Sequence, residues 1–205
     1  MSGSVTHLNE IEHLGSPGQA PRTIRFSQGN MVLFQRLRAA SFPGGHARER
    51  GGTIVADREG RLGVQNIGGH GSTASSFFPN LTVKEPGRFK TIGTFHTHPY
   101  DADSGWVRGV SFSGADIAHL LNNLLTISVV QSGPRLFAYI RTALSPTPVD
   151  HAGLNGVQNG TIWALQDKGR TFQQASRIAA QQVASMYSLA YYQGANGVLT
   201  RVHPA

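Results

Sequence analysis

TIGTFHTHPYDADSGWVRGVSFSGADIAHLL, residues 91–121, begins as an apolar run and turns polar at His96 and His98. Pro99 follows at once, then a polar segment of 13 residues (100–112), then Ser-Gly-Ala-Asp and a second apolar run. The first run, "FKTIGTFHTH", reads as a strand. Side chains in a strand alternate faces, so His96 and His98 share one side, about 7 Å apart along the chain at roughly 3.3 Å per residue. Pro99 ends the strand by removing a ladder donor. The second run, "SGADIAHLLNNLL", places Ile117, Leu120, Leu121 and Leu124 on one helical face. Ser113 stands as the N-cap of that helix and Asp116 as its third residue, where the helix dipole favours a carboxylate.

Two imidazoles at a strand end and a carboxylate in the next helical turn make a candidate metal site. Two His and one Asp leave a fourth position open, as hydrolytic zinc sites do. An isolated His-x-His is weak evidence, and Ser-x-x-Asp alone is an ordinary capping box. Their specificity lies in the combination, in order, at a strand end and a helix start. A metal hydrolase also needs a group to take and return a proton. The chain has only 11 acidic residues. Among them Glu49, in "ARERGGTIVAD", stands just before an apolar strand that can lie beside the histidine strand.

Outward from this centre, "GGTIVAD" and "RLGVQNI" flank "DREG" and read as a hairpin. "TISVVQ" and "RLFAYIRTA" flank "SGP" and read as a second one. "MVLFQRLRAASF", residues 31–42, has helical spacing at Met31, Leu33, Phe34, Leu37 and Ala40. "TFQQASRIAAQQVASMYSLAYYQGANG" reads as one amphipathic C-terminal helix with Phe172, Ala175, Ala179, Val183, Met186 and Ala190 on one face and Gly194 as its stop. Residues 144–161 read as a Pro/Gly/Asn-rich loop and residues 1–21 as a flexible N-terminal arm. The order helix, hairpin, strand, helix, hairpin, helix predicts an α/β fold, a mixed central sheet flanked by helices.

The 205 residues suit one domain, and the 25 glycines and 10 prolines predict abundant turns. With no cysteine, disulfides, thiolate metal sites and a cysteine nucleophile are excluded. The net charge of +7 permits a polyanionic partner, but the basic residues are scattered, so nucleic acid is not the expected partner. No apolar run approaches a membrane span, and the N-terminus has no Sec-type signal core. The expected protein is soluble, either cytoplasmic or exported as an effector without such a signal.

The set Glu49, "HTHP" at 96–99 and "SGAD" at 113–116 resembles the pattern of the JAMM (MPN-type) zinc metalloproteases. The resemblance covers residues 30–142 and is strongest to the divergent bacterial branch associated with toxin, phage and secretion proteins. It implies one catalytic domain over residues 22–143, with 144–205 as a loop and helix packed on it. It implies one Zn²⁺ per chain held by His96, His98 and Asp116, Glu49 as the base that activates water, and Ser113 as oxyanion donor. The implied activity is hydrolysis of a peptide or isopeptide bond in a protein or peptide substrate, as a bacterial effector or a ubiquitin-like deconjugating or processing peptidase. The alternatives are an inactive MPN-like scaffold and, more remotely, a basic nucleic-acid-acting metal enzyme. The spacer departs from the family: 13 residues stand where about seven are usual, and they bring Asp101 and Asp103 as rival carboxylates. Trp106, in that spacer, either grips an extended peptide or folds the loop onto the body. His119, one turn after Asp116, is read as a surface residue.

Overall fold

A computed structural model describes residues 6–68, 72–101, 105 and 107–204. Its centre is an eight-stranded mixed sheet in the order β1-β8-β7-β6-β5-β4-β2-β3. The strands are β1 (Thr23–Arg25), β2 (Gly51–Asp57), β3 (Leu62–Gly68), β4 (Phe89–Thr97), β5 (Ile127–Ser132), β6 (Arg135–Ile140), β7 (Ala190–Ala195) and β8 (Val198–His203). Four α-helices flank it: α1 (Gln28–Ala39), α2 (Gly114–Asn122), α3 (His151–Asp167) and α4 (Phe172–Met186). All neighbouring pairs are antiparallel except β4 and β5, which are parallel and joined by the spacer and α2. A parallel pair needs such a crossover. The expected α/β architecture is therefore the observed one.

Period-two alternation sorts the strand residues between two cores. Ile127, Val129, Leu136, Ala138, Ile140, Ala190 and Tyr192 join the core that also takes Phe34 and Leu37 of α1. Val130, Phe137, Tyr139 and Tyr191 face the other way, onto α2, α3 and α4. On β4, Phe95 stacks on Phe34 with ring centroids 3.8 Å apart and planes 6° apart. That leaves His96, the next residue, on the α2 side. Among the described residues no helix is long and apolar enough to cross a membrane.

Three expectations are corrected. Of the arm expected over residues 1–21, residues 1–5 lie outside the described residues, and residues 6–21 are packed on the body. Leu8 and Ile11 are buried in the α1-side core, Leu8 N–H donates to Gly60 O at 2.9 Å, and the Arg201 guanidinium donates to Pro17 O and Gly18 O. Each of these apolar side chains contributes about 1.5–3 kcal/mol by burial, enough to hold a short segment in place. Residues 144–161 are not all loop, because α3 starts at His151, capped by the Asp150 carboxylate, which accepts from Ala152 N and Gly153 N. The C-terminal helix stops at Met186. The chain then turns through Ser188, at φ 52°, into β7, so "AYYQGA" is a strand and Gly194 lies inside it.

Candidate metal centre

β2 and β4 pair antiparallel with Gly51 opposite His96. Counting one step back on β2 and one forward on β4 sets Arg50 against Thr97. Thr97 N–H donates to Arg50 O at 2.8 Å and Arg50 N–H donates to Thr97 Oγ1 at 2.9 Å. One further step sets Glu49 against His98. Residues directly opposite across a ladder point to the same side, so this register brings Glu49, His96 and His98 together. The Glu49 backbone is clamped from the far side: its N–H donates to Thr73 O and its carbonyl accepts from Ser72 Oγ. His98 lies just past β4, where its N–H donates to Gln131 O of β5 at 2.8 Å.

Asp116 arrives from the other end of the same crossover. Ser113 caps α2 as expected: its Oγ accepts from Asp116 N at 3.3 Å and donates to Asp116 Oδ2 at 2.7 Å, and its backbone N–H donates to Oδ2 at 2.7 Å. The carboxylate is thereby fixed with Oδ1 left for other partners. Nε2 of His96 and Nε2 of His98 are 3.1 Å apart. Asp116 Oδ1 lies 3.0 Å from His96 Nε2, and Oδ2 lies 3.4 Å from His98 Nε2. Glu49 Oε1 stands further out, 3.9 Å from His98 Nε2. Glu49, His96 and His98 are 5%, 4% and 9% exposed and form a buried group whose ligand atoms can hold a metal ion. Ligand atoms about 2.0–2.1 Å from a tetrahedral ion lie about 3.3 Å from one another, close to the separations among His96, His98 and Asp116. The donor set, imidazole nitrogen and carboxylate oxygen without sulfur, suits zinc and its first-row neighbours.

The two carboxyl groups are driven apart electrostatically. Burial pushes Glu49 up; His96 and His98 oppose this, the Asp116 charge adds to it, and the net direction is up. Burial acts the same way on Asp116, but the charges and hydrogen bonds of His96 and His98 win and hold it well below the usual carboxylate range. Burial disfavours charge on His98, and Asp116 and then Glu49 reverse that, so its pKa is raised. A pair of acids separated in this way divides into one that exchanges protons and one that stays ionised. The Ser111 backbone carbonyl faces the His98 ring, the kind of partner that selects a tautomer in metal-binding histidines, although Nδ1 makes no hydrogen bond of good geometry.

The group opens into a cavity of about 540 Å³ whose other walls include Phe77, Phe78, Pro79, Tyr100, His119 and His151. Sequence reasoning did not single out Phe77, which stacks on His96 with centroids 5.9 Å apart. Gly51 makes room for it: a Cβ there would collide with Phe95 O and meet the Phe77 ring at 2.8 Å. The Gly-Gly pair after Glu49 was the available signal. Tyr100 was also missed. Burial, then the charges of Glu49 and Asp116, push its phenol up, which keeps it a neutral hydrogen-bond donor. His119 is not a plain surface residue; it lines the cavity, burial lowers its pKa, and its Nε2 is buried without a partner.

Of the rival carboxylates, Asp101 is turned to the 46–48 loop, where it accepts from Ala47 N at 2.8 Å. Asp103 and Trp106 lie outside the described residues. The long spacer returns to α2 because it is tied down throughout its second half. Gly109 and Val110 N–H donate to Ser132 Oγ, Ser111 N–H donates to Ser176 Oγ, and Gln158 Nε2 donates to Phe112 O. No protein-family model matches this chain, and no curated protein or solved structure matches it with significance.

Proposed function

We propose that this protein is a zinc-dependent hydrolase of peptide or isopeptide bonds, of the JAMM type. The observation that carries the reading is the mutual approach of His96 Nε2, His98 Nε2 and Asp116 to 3.0–3.4 Å with Glu49 just beyond them, at the mouth of a sizeable cavity. His96 Nε2, His98 Nε2 and Asp116 Oδ1 would hold the ion. When bound, zinc supplies Lewis-acid polarisation of a carbonyl and makes water more acidic.

The remaining work falls to side chains. Glu49, with its raised pKa, accepts a proton at Oε1 and returns it to the leaving amine. Asp116 stays ionised, and the Ser113 backbone N–H and hydroxyl keep it aimed at the histidines. Ser113 Oγ, on the cavity wall and hydrogen-bonded to Asp116, serves the developing oxyanion, for which its hydrogen leaves Asp116 Oδ2. Phe77, stacked on His96, gives this end of the cavity an apolar wall. The test combines metal analysis with hydrolysis of an unfolded, fluorescently labelled protein and of a ubiquitin-like fusion. Stoichiometric zinc that His96→Ala and Asp116→Ala abolish, together with zinc-dependent cleavage, is expected. Full zinc in Asp116→Ala removes that residue from the ligand set, and absence of any bound divalent metal refutes the proposal.

A further inference from the structure

A second, smaller cavity of about 90 Å³ shares the His98, Pro99 and Tyr100 wall with the first. Its other lining brings together Arg38 of α1, Arg108 of the spacer and Gln131 of β5. The two arginines are close enough that, after burial, the Arg108 charge is what lowers the Arg38 pKa. Neither forms an ion pair among the described residues. The bases that do are elsewhere: Arg61 with Asp57 and Glu59, Arg88 with Glu85, Lys90 with Glu12. Arg108 is also seated. Its stem fills the notch over Gly133, where a Cβ would meet Arg108 Cβ at 2.8 Å and Cγ at 3.0 Å. Gln131 is 4% exposed; its Nε2 donates to Gly133 O at 3.4 Å and its Oε1 has no partner. Beyond the cavity the positive charge continues through Arg135 and Arg177, the latter lowered by burial and by Arg135.

Two guanidinium groups lining one cavity with no counter-ion among the described residues repel, and a carboxylate between them removes that cost while accepting forked hydrogen bonds. The cavity is the smaller of the two and has room for a carboxylate on a short stem. The unpartnered Gln131 oxygen calls for a donor arriving with the anion, which a peptide N–H supplies. We propose that this cavity is a carboxylate site, in which Arg38 and Arg108 hold a carboxylate of a peptide and Gln131 Oε1 accepts an N–H from the same ligand. That the ligand is substrate rests on the hydrolase reading; the binding itself does not. The carboxylate belongs either to a chain terminus or to an Asp or Glu side chain.

The experiment uses the full chain, ¹⁵N-labelled and treated with chelator, so that binding is read without activity. Three N-acetylated alanine peptides are titrated: one with a free terminal carboxylate, one with an internal Asp and an amidated end, one amidated and neutral. Saturable shifts of the Arg38 and Arg108 Nε–H signals are expected with at least one carboxylate peptide, and that peptide identifies the source. The neutral peptide should bind at least tenfold more weakly. Arg38→Gln and Arg108→Gln should each weaken binding about tenfold, the scale of one charge-assisted hydrogen bond, with well-dispersed spectra showing that both fold. Arg88→Gln, at the opposite end of the sheet, should change nothing. Equal binding of the neutral peptide, or no saturable shift with either carboxylate peptide, overturns the proposal. So does a DNA duplex that binds more tightly through the same two arginines. Cleavage activity found without carboxylate binding sinks this inference alone; carboxylate binding without cleavage leaves it standing and sinks the hydrolase reading.

Discussion

Ser113 carries two separable jobs, and replacing it tests both. As the α2 cap it accepts from Asp116 N, and as a donor it places 2.7 Å hydrogen bonds on Asp116 Oδ2 from both its hydroxyl and its backbone. Ser113→Ala removes the hydroxyl and leaves the backbone N–H. Loss of the cap costs about 1 kcal/mol, and in a chain of this size that lowers Tm by roughly 2–4 °C. Loss of the hydroxyl that steadies a ligating carboxylate weakens metal binding by about 10- to 100-fold. If the hydroxyl also donates to the developing oxyanion, kcat falls a further 100- to 1,000-fold even when metal is saturating. The assay is therefore kcat measured across a zinc titration, beside zinc affinity by competition with a chromophoric chelator and Tm of the apo protein. The expected result is weaker zinc binding together with a kcat that saturating zinc does not restore. Full recovery at saturating zinc would falsify the oxyanion role and leave Ser113 as a positioning residue. Unchanged zinc affinity would remove the positioning role instead.

Glu49→Gln should retain zinc and thermal stability while hydrolysis drops by about 10²- to 10⁴-fold, the span of general acid–base catalysis; near-normal turnover rules the residue out as the base. Gly51→Ala forces a Cβ against Phe95 O and the Phe77 ring; we expect a loss of about 1–3 kcal/mol in chemical denaturation, and an unchanged midpoint contradicts the packing described for Phe77. Ile11→Ala should cost about 2–5 kcal/mol if residues 6–21 are part of the core, whereas a flexible arm would leave stability untouched.

The centre was legible because most of its signals are local. The parity of His96 and His98, the cap at Ser113 and the apolar face of α2 all lie within one stretch, and only Glu49 needed a longer-range step, the pairing of β2 with β4. What failed was hidden by mixed periods. The buried stripe of α3 is Leu154, Gln158 and Ile162. Its middle member is polar, spent on the Phe112 carbonyl, and Gly153, Gly156 and Gly160 dilute the helical pattern. β7 buries Tyr191 on one side and Tyr192 on the other, so neither a helical nor an alternating pattern appears. The signal for its hairpin was nonetheless present: Asn196-Gly197, at φ 52° and 77°, is the preferred pair for a tight two-residue turn. Phe77 belongs to the cavity only through tertiary folding, and nothing in its own neighbourhood marks it, whereas Tyr100 stands directly after His98 and Pro99.

The spacer between Pro99 and Ser113 has its two ends fixed by different elements, β4 against its neighbours and α2 against α3. Its length is then nearly decoupled from the site. Loop-closure entropy grows with the logarithm of length, so doubling such a segment costs only about 0.6 kcal/mol. Residues 109–112 have to stay, because their hydrogen bonds and the buried Phe112 seat the start of α2. The part of the spacer ahead of Gly109 is therefore the cheaper part to exchange, and segments of other lengths grafted there would give a set of proteins with one candidate metal centre and different preferences for what enters it.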